Sequence, residues 1–208
     1  MISPPERSPE RDAAILAMLP NVAFDGWTKR AITADDADLL FPLGAPEMIE
    51  AFCDLTDRRM EEAAANLTET RLSRRVRAVI ALRLEQNRPH KEAIRRALAI
   101  LALPQNARIA AATAARTIDA IWRTAGDESA DFSWYTKRAI LAAVFGTTIL
   151  YWLRDTSEDD ADTLAFLDRR LAGVGRIGKL RAKAGDLLGR LPRPGKLGTG
   201  KLRMGDTG

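Results

Sequence analysis

Apolar residues recur at intervals of three and four positions along most of this 208-residue chain. The clearest run lies within residues 45–67, and its apolar members are Met48, Ile49, Phe52, Leu55, Met60, Ala63 and Leu67. This spacing places the side chains on one face of an α-helix, whereas a half-buried strand would alternate at every second residue. The chain is also rich in Ala, Leu and Arg and poor in Val, Tyr and Phe, which favours helices over strands. We therefore predict an all-α fold.

Prolines, glycines and polar clusters divide this pattern into successive helices. The predicted segments are a short helix over 12–19 that stops at Pro20, a compact helical region over 27–41 that is broken at 33–36, and longer helices near 45–67, 72–87, 94–104, 106–125, 132–153 and 160–172. The helix near 132–153 is apolar on nearly every side after its first turn, so we expect it to be central and buried. A chain of this length favours one domain with a sizeable core.

A polar loop leads directly into this apolar helix and is followed by two aromatic residues on the first turn. Gly126 can close the preceding helix, and Ser129 or Asp131 can cap the next one. Trp134 and Tyr135 are consecutive, so they lie about 100° apart on a helix and cannot both face the same core. At least one of them should be partly exposed, and exposed aromatic residues often anchor protein interfaces. The alternative is that they are ordinary core residues.

The sequence around this turn resembles the signature of the ubiquinone-biosynthesis accessory proteins of the Coq-nine family. The segments that carry the resemblance follow one another in the family's order and are 103–106, 117–122, 126–138, 151–157 and 163–170. The resemblance extends from about residue 10 to about residue 172. It implies a TetR-repressor-like fold, in which the N-terminal helices are a helix-turn-helix relic and the bundle makes a homodimer. It also implies a protein that is not an enzyme.

The pattern and the resemblance together divide the chain into parts. We expect a disordered leader over 1–10, a TetR-like helical bundle over 11–172, a basic amphipathic helix over 173–191 and a disordered basic tail over 192–208. Within the bundle, residues 11–43 correspond to the helix-turn-helix relic and residues 44–172 to the lipid-binding and dimerisation region.

The C-terminal segment combines a leucine-rich stripe with a cationic face. Aliphatic residues recur at helical spacing up to Leu191, lysines and arginines occupy the positions between them, and Pro192 ends the pattern. This predicts a helix that binds an anionic membrane surface, with burial against the bundle as the alternative. The residues assigned to the membrane-binding helix are Arg176, Ile177, Lys179, Leu180, Arg181, Lys183, Leu187, Leu188 and Leu191. The family carries such a helix, so the resemblance agrees.

No apolar run is long enough for a transmembrane helix, and the start of the chain lacks the apolar region of a secretory signal. We therefore expect a cytoplasmic protein, and the basic helix together with the resemblance implies that it is peripheral on the inner membrane.

The resemblance also implies a partner, the demethoxyubiquinone hydroxylase, a di-iron monooxygenase. Carried over residue by residue, the partner-binding patch consists of Asp131, Trp134, Tyr135 and Arg138, although Asp131 is also a candidate helix cap. The expected ligand is an isoprenoid lipid or quinone precursor, and the residues that line its site are unknown. The small-residue run at 110–115 indicates either room for a lipid or tight helix packing.

The remaining charged and reactive residues do not form a recognisable catalytic or metal site. The only histidine, His90, is expected at the surface, and Cys53 as a small buried hydrophobe. There is no Glu-x-x-His pair, no Cys–His pairing and no Ser-His-Asp set, so we expect no catalysis and no metal cofactor. The acids at 155–162 lack the spacing of a calcium loop and favour a helix N-terminus. The arginines at 71, 74, 75, 77 and 83 favour a solvated helix face, paired with acids at 61, 62 and 69, over a nucleic-acid surface.

The leading hypothesis is a non-catalytic accessory protein that binds a polyprenyl quinone precursor at the membrane and presents it to the hydroxylase. The alternative is a TetR-like transcriptional regulator that senses a hydrophobic ligand. Its recognition segment, residues 33–40, would contain Asp35, Asp36 and Asp38 and no basic residue, so phosphates would be repelled and DNA binding is not expected. A third hypothesis is a structural dimer that scaffolds the biosynthetic complex without holding lipid.

Overall fold

The computed structural model of the chain describes residues 3–32, 37–127 and 133–174. All regular structure in these residues is helical, as predicted. The helices are α1 (Pro9–Asp25), α2 (Ala37–Leu40), α3 (Ala45–Ala64), α4 (Leu72–Gln86), α5 (Lys91–Leu101), α6 (Ala107–Thr124), α7 (Ser133–Trp152) and α8 (161–174). Residues up to Ala172 form one compact unit, and Gly173–Gly208 form a second, which is described only at 173 and 174.

Helix α1 begins inside the predicted leader and continues past the proline that was expected to end it. The Ser8 side chain accepts a hydrogen bond from the backbone N–H of Arg11, and Pro9 occupies the first helical position, where its missing N–H costs nothing. Pro20 is exposed, so it interrupts the hydrogen bonding of α1 on the side that faces water, while Met18 and its neighbours pack inward. The predicted limits of this helix were therefore wrong at both ends.

The predicted leader is anchored rather than disordered where the structure describes it. Arg7 donates hydrogen bonds of 2.6 and 2.8 Å to the carboxylate of Asp54 on α3. Arg11 is buried, donates to Glu47 at 2.9 Å, and places its guanidinium 4.5 Å from the centre of the Phe41 ring. Two carboxylates of α3 thereby hold the start of the chain against the bundle.

The N-terminal helices share one hydrophobic core with α3 and α5. Trp27 is buried at its centre, donates its indole N–H to the backbone carbonyl of Ala93 at 2.8 Å, and lies 5.4 Å from the Phe52 ring. Met18 of α1 and Met48 of α3 are completely buried in the same cluster. The region predicted as a helix-turn-helix relic is thus packed as an integral part of the bundle.

The described part of the would-be DNA-recognition segment is very short. Helix α2 has four residues, Ala37–Leu40, and is preceded by a single 3-10 turn at Lys29–Ala31. Asp38 pairs with Lys29 in an exposed ion pair, and residues 33–36 lie outside the described residues. Helix α2 therefore offers a carboxylate, not a cationic face, at the position where a regulator would meet phosphate.

Helix α7 is not central, contrary to the prediction. Leu141, Val144, Thr148 and Trp152 face inward and are buried. The opposite face is exposed and is also apolar, and its members are Ala139, Ile140, Ala142, Ala143, Gly146, Leu150 and Tyr151. The prediction was wrong because a helix that is apolar on every side is central only if all of its faces pack within the same chain. In this chain one face of α7 packs against the bundle and the opposite face is exposed.

Candidate functional site

A cavity of about 670 Å³ lies between α3, α4, α5, α6 and α7. Its volume is in the range of small-molecule sites, which is about 300–1,000 Å³. Aliphatic and aromatic side chains make up most of the wall, and the apolar lining residues are Phe52, Leu84, Ile94, Ala97, Leu98, Leu101, Ala102, Ala110, Ala114, Ile118, Ala142, Ala143, Phe145, Ile149, Leu150 and Trp152. This lining matches the chemistry of a hydrocarbon chain or ring.

Small residues on α6 and α7 create the room. Ala110, Thr113 and Ala114 come from the small-residue run at 110–115, so the structure favours the first of its two interpretations at these positions. Gly146 lines the cavity from α7, and a Cβ added there would meet nothing within 4 Å. Larger side chains at these positions would occupy the space that a ligand needs.

The cavity has an exposed side and a buried side. On the exposed side, Ala114 of α6 and Ala142 and Leu150 of α7 line the cavity and are also accessible to solvent. On the buried side, Phe52 of α3 and Thr117 of α6 are almost completely enclosed. The cavity is therefore accessible from solvent on its exposed side, along α7, and reaches inward toward α3.

Charged and polar side chains meet at the buried side. Nη1 of Arg83 lies 2.6 Å from Oδ1 of Asp57, and Thr117 donates its hydroxyl to Oδ2 of the same carboxylate at 2.9 Å. All three residues are more than nine-tenths buried. Burial raises the pKa of Asp57, and the nearby Arg83 and Thr117 only partly oppose this effect. An ion pair thus stands at the inner end of a cavity that is otherwise apolar.

Arg83 does not lie on a solvated helix face with the acids at 61, 62 and 69, contrary to the prediction. The structure pairs Arg83 with Asp57 in the interior. The available signal was its register, because Arg83 follows Val79 by four positions and Ile80 by three, and both are fully buried. Helical position was a better guide to its environment than its charge.

The other arginines of that cluster lie outside the cavity. Arg75 donates to the backbone carbonyls of Thr124, Leu67 and Glu69, and Arg77 forms an exposed ion pair with Asp168 of α8. These contacts connect α4 to the loop that precedes it, to the end of α6 and to α8.

Burial is the main influence on the two potentially reactive side chains, Cys53 and His90. Cys53 lines the cavity, and burial raises the pKa of its thiol to about 12, so the thiol is protonated at neutral pH. His90 is half-buried rather than fully exposed, and burial followed by the charge of Arg59 lowers its pKa. In the described ranges, no three His, Cys, Asp or Glu side chains stand close enough together to hold a metal ion.

The acidic residues at 155–162 stabilise the start of α8. Asp155 accepts hydrogen bonds from the backbone N–H groups of Ser157 and Thr163, each at 2.8 Å, and from both of their hydroxyls. Asp160 is buried and pairs with Lys91 at 2.6 Å and Arg88 at 2.9 Å. The expected role at a helix N-terminus is confirmed.

The aromatic turn at the start of α7 forms a surface cluster. The guanidinium of Arg138 lies 3.7 Å from the centre of the Trp134 ring, and the Tyr135 ring meets Trp134 edge-on at 4.7 Å. Arg138 also donates to the carboxylate of Asp119 on α6. Tyr135 is 73% exposed, so the prediction that the two aromatic residues do not share a core is confirmed.

Asp131, the fourth member of the predicted partner-binding patch, lies outside the described residues. The predicted membrane-binding helix from Arg176 to Leu191 also lies outside them. No helix in the described part of the chain is long and apolar enough to cross a membrane.

Short N-terminal helices packed on a bundle with an apolar cavity define a TetR-like fold. A solved structure of the TetR transcriptional regulator from Nitrosomonas europaea ATCC 19718 has the same fold, with a TM-score of 0.61 and 21% sequence identity. The match covers 79% of this chain and 97% of that chain. At this identity the likeness concerns the fold alone.

Sequence comparison then identifies the family. Residues 107–178 match the COQ9 family model. The chain is 32% identical over 181 residues to the mitochondrial ubiquinone biosynthesis protein COQ9 of Rattus norvegicus and to that of Homo sapiens, and the match covers 79% of this chain. It is 34% identical over 170 residues to the protein of the same name from Drosophila melanogaster, with 74% of this chain covered. The chain belongs to the COQ9 family, as the resemblance indicated.

The chain is shorter than these relatives. The matched region spans 58% of the rat protein, 57% of the human protein and 52% of the fly protein.

Proposed function

We propose that this chain is a non-catalytic lipid-binding accessory protein of ubiquinone biosynthesis, which takes up the isoprenoid tail of a quinone precursor and delivers the precursor to the demethoxyubiquinone hydroxylase. The observation that carries the proposal is the apolar cavity of about 670 Å³, whose exposed side is lined by Ala114, Ala142 and Leu150. Membership of a family whose relatives are named for ubiquinone biosynthesis supports the choice of lipid. Transfer of apolar surface into such a cavity is favourable by roughly 25 cal/mol per Å².

The aromatic cluster at the start of α7 is the proposed hydroxylase-binding surface. Tyr135 offers a large exposed ring, and Trp134 is held in place between it and Arg138. Because Arg138 is itself fixed by Asp119, the cluster loses little side-chain entropy on binding. Aromatic and arginine side chains of this kind dominate the binding energy of many interfaces.

The exposed apolar face of α7 supports the proposal that the chain is a homodimer. Ile140, Leu150 and Tyr151 are exposed large side chains on this one helix, and the residues between them are small. A contiguous apolar face of this kind is unfavourable in water unless another surface covers it. A second copy of the chain would cover Ile140 and Tyr151, which belong to the part of this face that does not line the cavity.

The membrane step is assigned to the basic segment from Arg176 to Leu191. Its aliphatic residues would enter the acyl boundary and its cations would meet anionic headgroups, placing the protein peripherally on the membrane that holds the precursor. Flotation on anionic liposomes tests this step: the full chain should float and a chain ending at Gly173 should not. Equal behaviour of the two would remove the segment from the mechanism.

A reconstituted reaction tests delivery. Purified hydroxylase is mixed with dioxygen, an electron donor and liposomes that contain demethoxyubiquinone, and product formation is followed with and without the chain. We expect the wild type to accelerate the reaction and Gly146→Phe, which fills the cavity, to accelerate it far less. Ala99→Phe is the matched control, because Ala99 is exposed on α5 and does not line the cavity. A wild type that binds the hydroxylase but leaves the rate unchanged would contradict the delivery function.

A further inference from the structure

Arg83 has hydrogen-bonding capacity that the protein does not use. A guanidinium carries five N–H donors in a planar fork. Among the residues that the structure describes, Arg83 forms an ion pair with the carboxylate of Asp57, yet its buried Nη1 has no hydrogen-bond partner. Its guanidinium also lies 5.9 Å from the centre of the Phe145 ring. Arg83 is more than nine-tenths buried and lines the cavity. The remaining donors therefore stand where water is scarce and a ligand can reach.

The polar neighbours of Arg83 on the cavity wall have partners of their own. Asn87 donates its amide to the backbone carbonyl of Arg83 at 2.8 Å, and Thr56 donates its hydroxyl to the carbonyl of Cys53 at 3.0 Å. Thr117 donates to Asp57. Arg83 is consequently the strongest donor that faces the cavity.

The electrostatics of the pair favour an additional oxygen acceptor. Burying a guanidinium is costly unless its donors are satisfied, and one carboxylate does not satisfy the whole fork. A ligand oxygen that accepts from the free side would form a charge-assisted hydrogen bond in an apolar setting, where such bonds are strong. A plain hydrocarbon offers no such oxygen.

We propose that Arg83 anchors the head group of the ligand by donating hydrogen bonds to a carbonyl or phenolic oxygen of an amphipathic lipid, with the hydrocarbon tail directed toward the exposed side of the cavity. This inference rests on the proposed function and deepens it, because it makes the cavity selective for a lipid with an oxygen-bearing ring. Binding to Arg83 would also hold the ring at the buried side of the cavity. Delivery of the ligand to another protein would therefore begin with its release from Arg83.

Two matched probes test the anchor. Decylubiquinone carries ring oxygens and decylbenzene does not, while both have a ring and a decyl tail. Displacement of the neutral dye N-phenyl-1-naphthylamine from the cavity reports the affinity of each. We expect the wild type to prefer decylubiquinone by about ten-fold or more, as for a hydrogen bond to a charged donor.

The test variant is Asp57→Asn/Arg83→Met, which removes both charges and leaves an amide oxygen at position 57 that can still accept from Thr117. It should bind decylbenzene as the wild type does and lose most of the preference for decylubiquinone. Arg123→Met is the control, because Arg123 is exposed and forms its ion pair with Glu61 away from the cavity. Arg83→Lys keeps the buried charge but not the fork, so it should reduce the preference even if the double variant fails to fold.

The outcomes separate the anchor from the proposed function. If the wild type binds both probes equally, or the variants keep its preference, Arg83 is a structural residue and the anchor is wrong while lipid binding stands. If neither probe displaces the dye from the wild type, the lipid-binding function fails and the anchor fails with it.

Discussion

Arg83 of α4 and Asp57 of α3 form an ion pair at the inner end of the cavity, with Nη1 and Oδ1 2.6 Å apart and both residues more than nine-tenths buried. Neither charge can be hydrated if its partner is removed. The pair therefore links the stability of the bundle to the chemistry of the cavity.

Breaking this pair from one side should destabilise the chain more than removing it altogether. We expect Asp57→Asn and Arg83→Met each to lower the free energy of unfolding by about 3–5 kcal/mol, because each leaves a buried group without its partner. The double variant should lose less than the sum of the two. Urea denaturation of the four proteins, analysed as a double-mutant cycle, measures the coupling. Additive losses would mean that the two side chains do not interact in solution.

Gly146 should respond differently to a small and a large side chain. Since a Cβ at this position meets nothing within 4 Å and the residue lies inside α7, Gly146→Ala should stabilise the chain by about 0.5–1 kcal/mol. Gly146→Phe should instead fill the cavity and reduce lipid uptake. Thermal unfolding and dye binding distinguish the two effects. A Gly146→Phe variant that binds the dye as well as the wild type would place the ligand elsewhere.

Tyr135→Ala should separate partner binding from stability. Tyr135 is 73% exposed, so its removal should change the free energy of unfolding by no more than about 0.5 kcal/mol. Binding to the hydroxylase, measured by titration calorimetry, should weaken about ten-fold or more. Phe24→Ala is the control, since Phe24 is an 87% exposed aromatic residue on α1. Equal effects of the two substitutions would argue against a specific patch on α7.

Asp155 should make part of the stability depend on pH. Burial alone would raise its pKa, but the hydrogen bonds from Ser157 and Thr163 outweigh burial and lower the pKa below the usual value. Because the folded-state pKa lies below the unfolded value of about 3.9, the stabilisation is fully present above about pH 4 and is lost as the pH falls further.

Thr163→Val tests this dependence, because it removes one hydroxyl that donates to Asp155 and keeps the shape of a buried side chain. We expect the substitution to lower the free energy of unfolding by about 1–2 kcal/mol at pH 7. This difference from the wild type should become smaller as the pH falls below about 4. Urea denaturation at a series of pH values measures it. A loss of constant size from pH 7 to pH 3 would show that Asp155 is not the group responsible.

The helices of the bundle were largely predictable from sequence, because α3, α4, α5 and α6 each bury one face and so carry a clear apolar period. The error at Pro20 arose because proline ends a helix only where the lost hydrogen bond matters, and here it faces water. The error at Arg83 arose because charge was given more weight than register. The exposure of at least one of Trp134 and Tyr135 was predictable, since adjacent residues on a helix cannot both point inward, but the sequence did not indicate that it would be Tyr135.

The cavity itself was not predictable from sequence. Its volume depends on the distances between α3, α4, α5, α6 and α7, and a run of alanines can either bring helices together or leave space. The resemblance to a family supplied the expectation of a lipid, but not the residues that line the site. Only packing in three dimensions shows that Ala110, Thr113 and Ala114, three of the residues of this run, line a cavity.

The most direct test of the lipid-carrier function is to identify what the chain holds when it is purified. Wild type, Gly146→Phe and Ala99→Phe are isolated in parallel from quinone-producing cells, extracted with organic solvent and analysed by mass spectrometry. We expect the wild type and Ala99→Phe to carry a lipid with an isoprenoid tail, and Gly146→Phe to carry much less of it. Equal amounts in the wild type and Gly146→Phe, or no lipid in the wild type, would contradict the assignment of the cavity as the site of a quinone precursor.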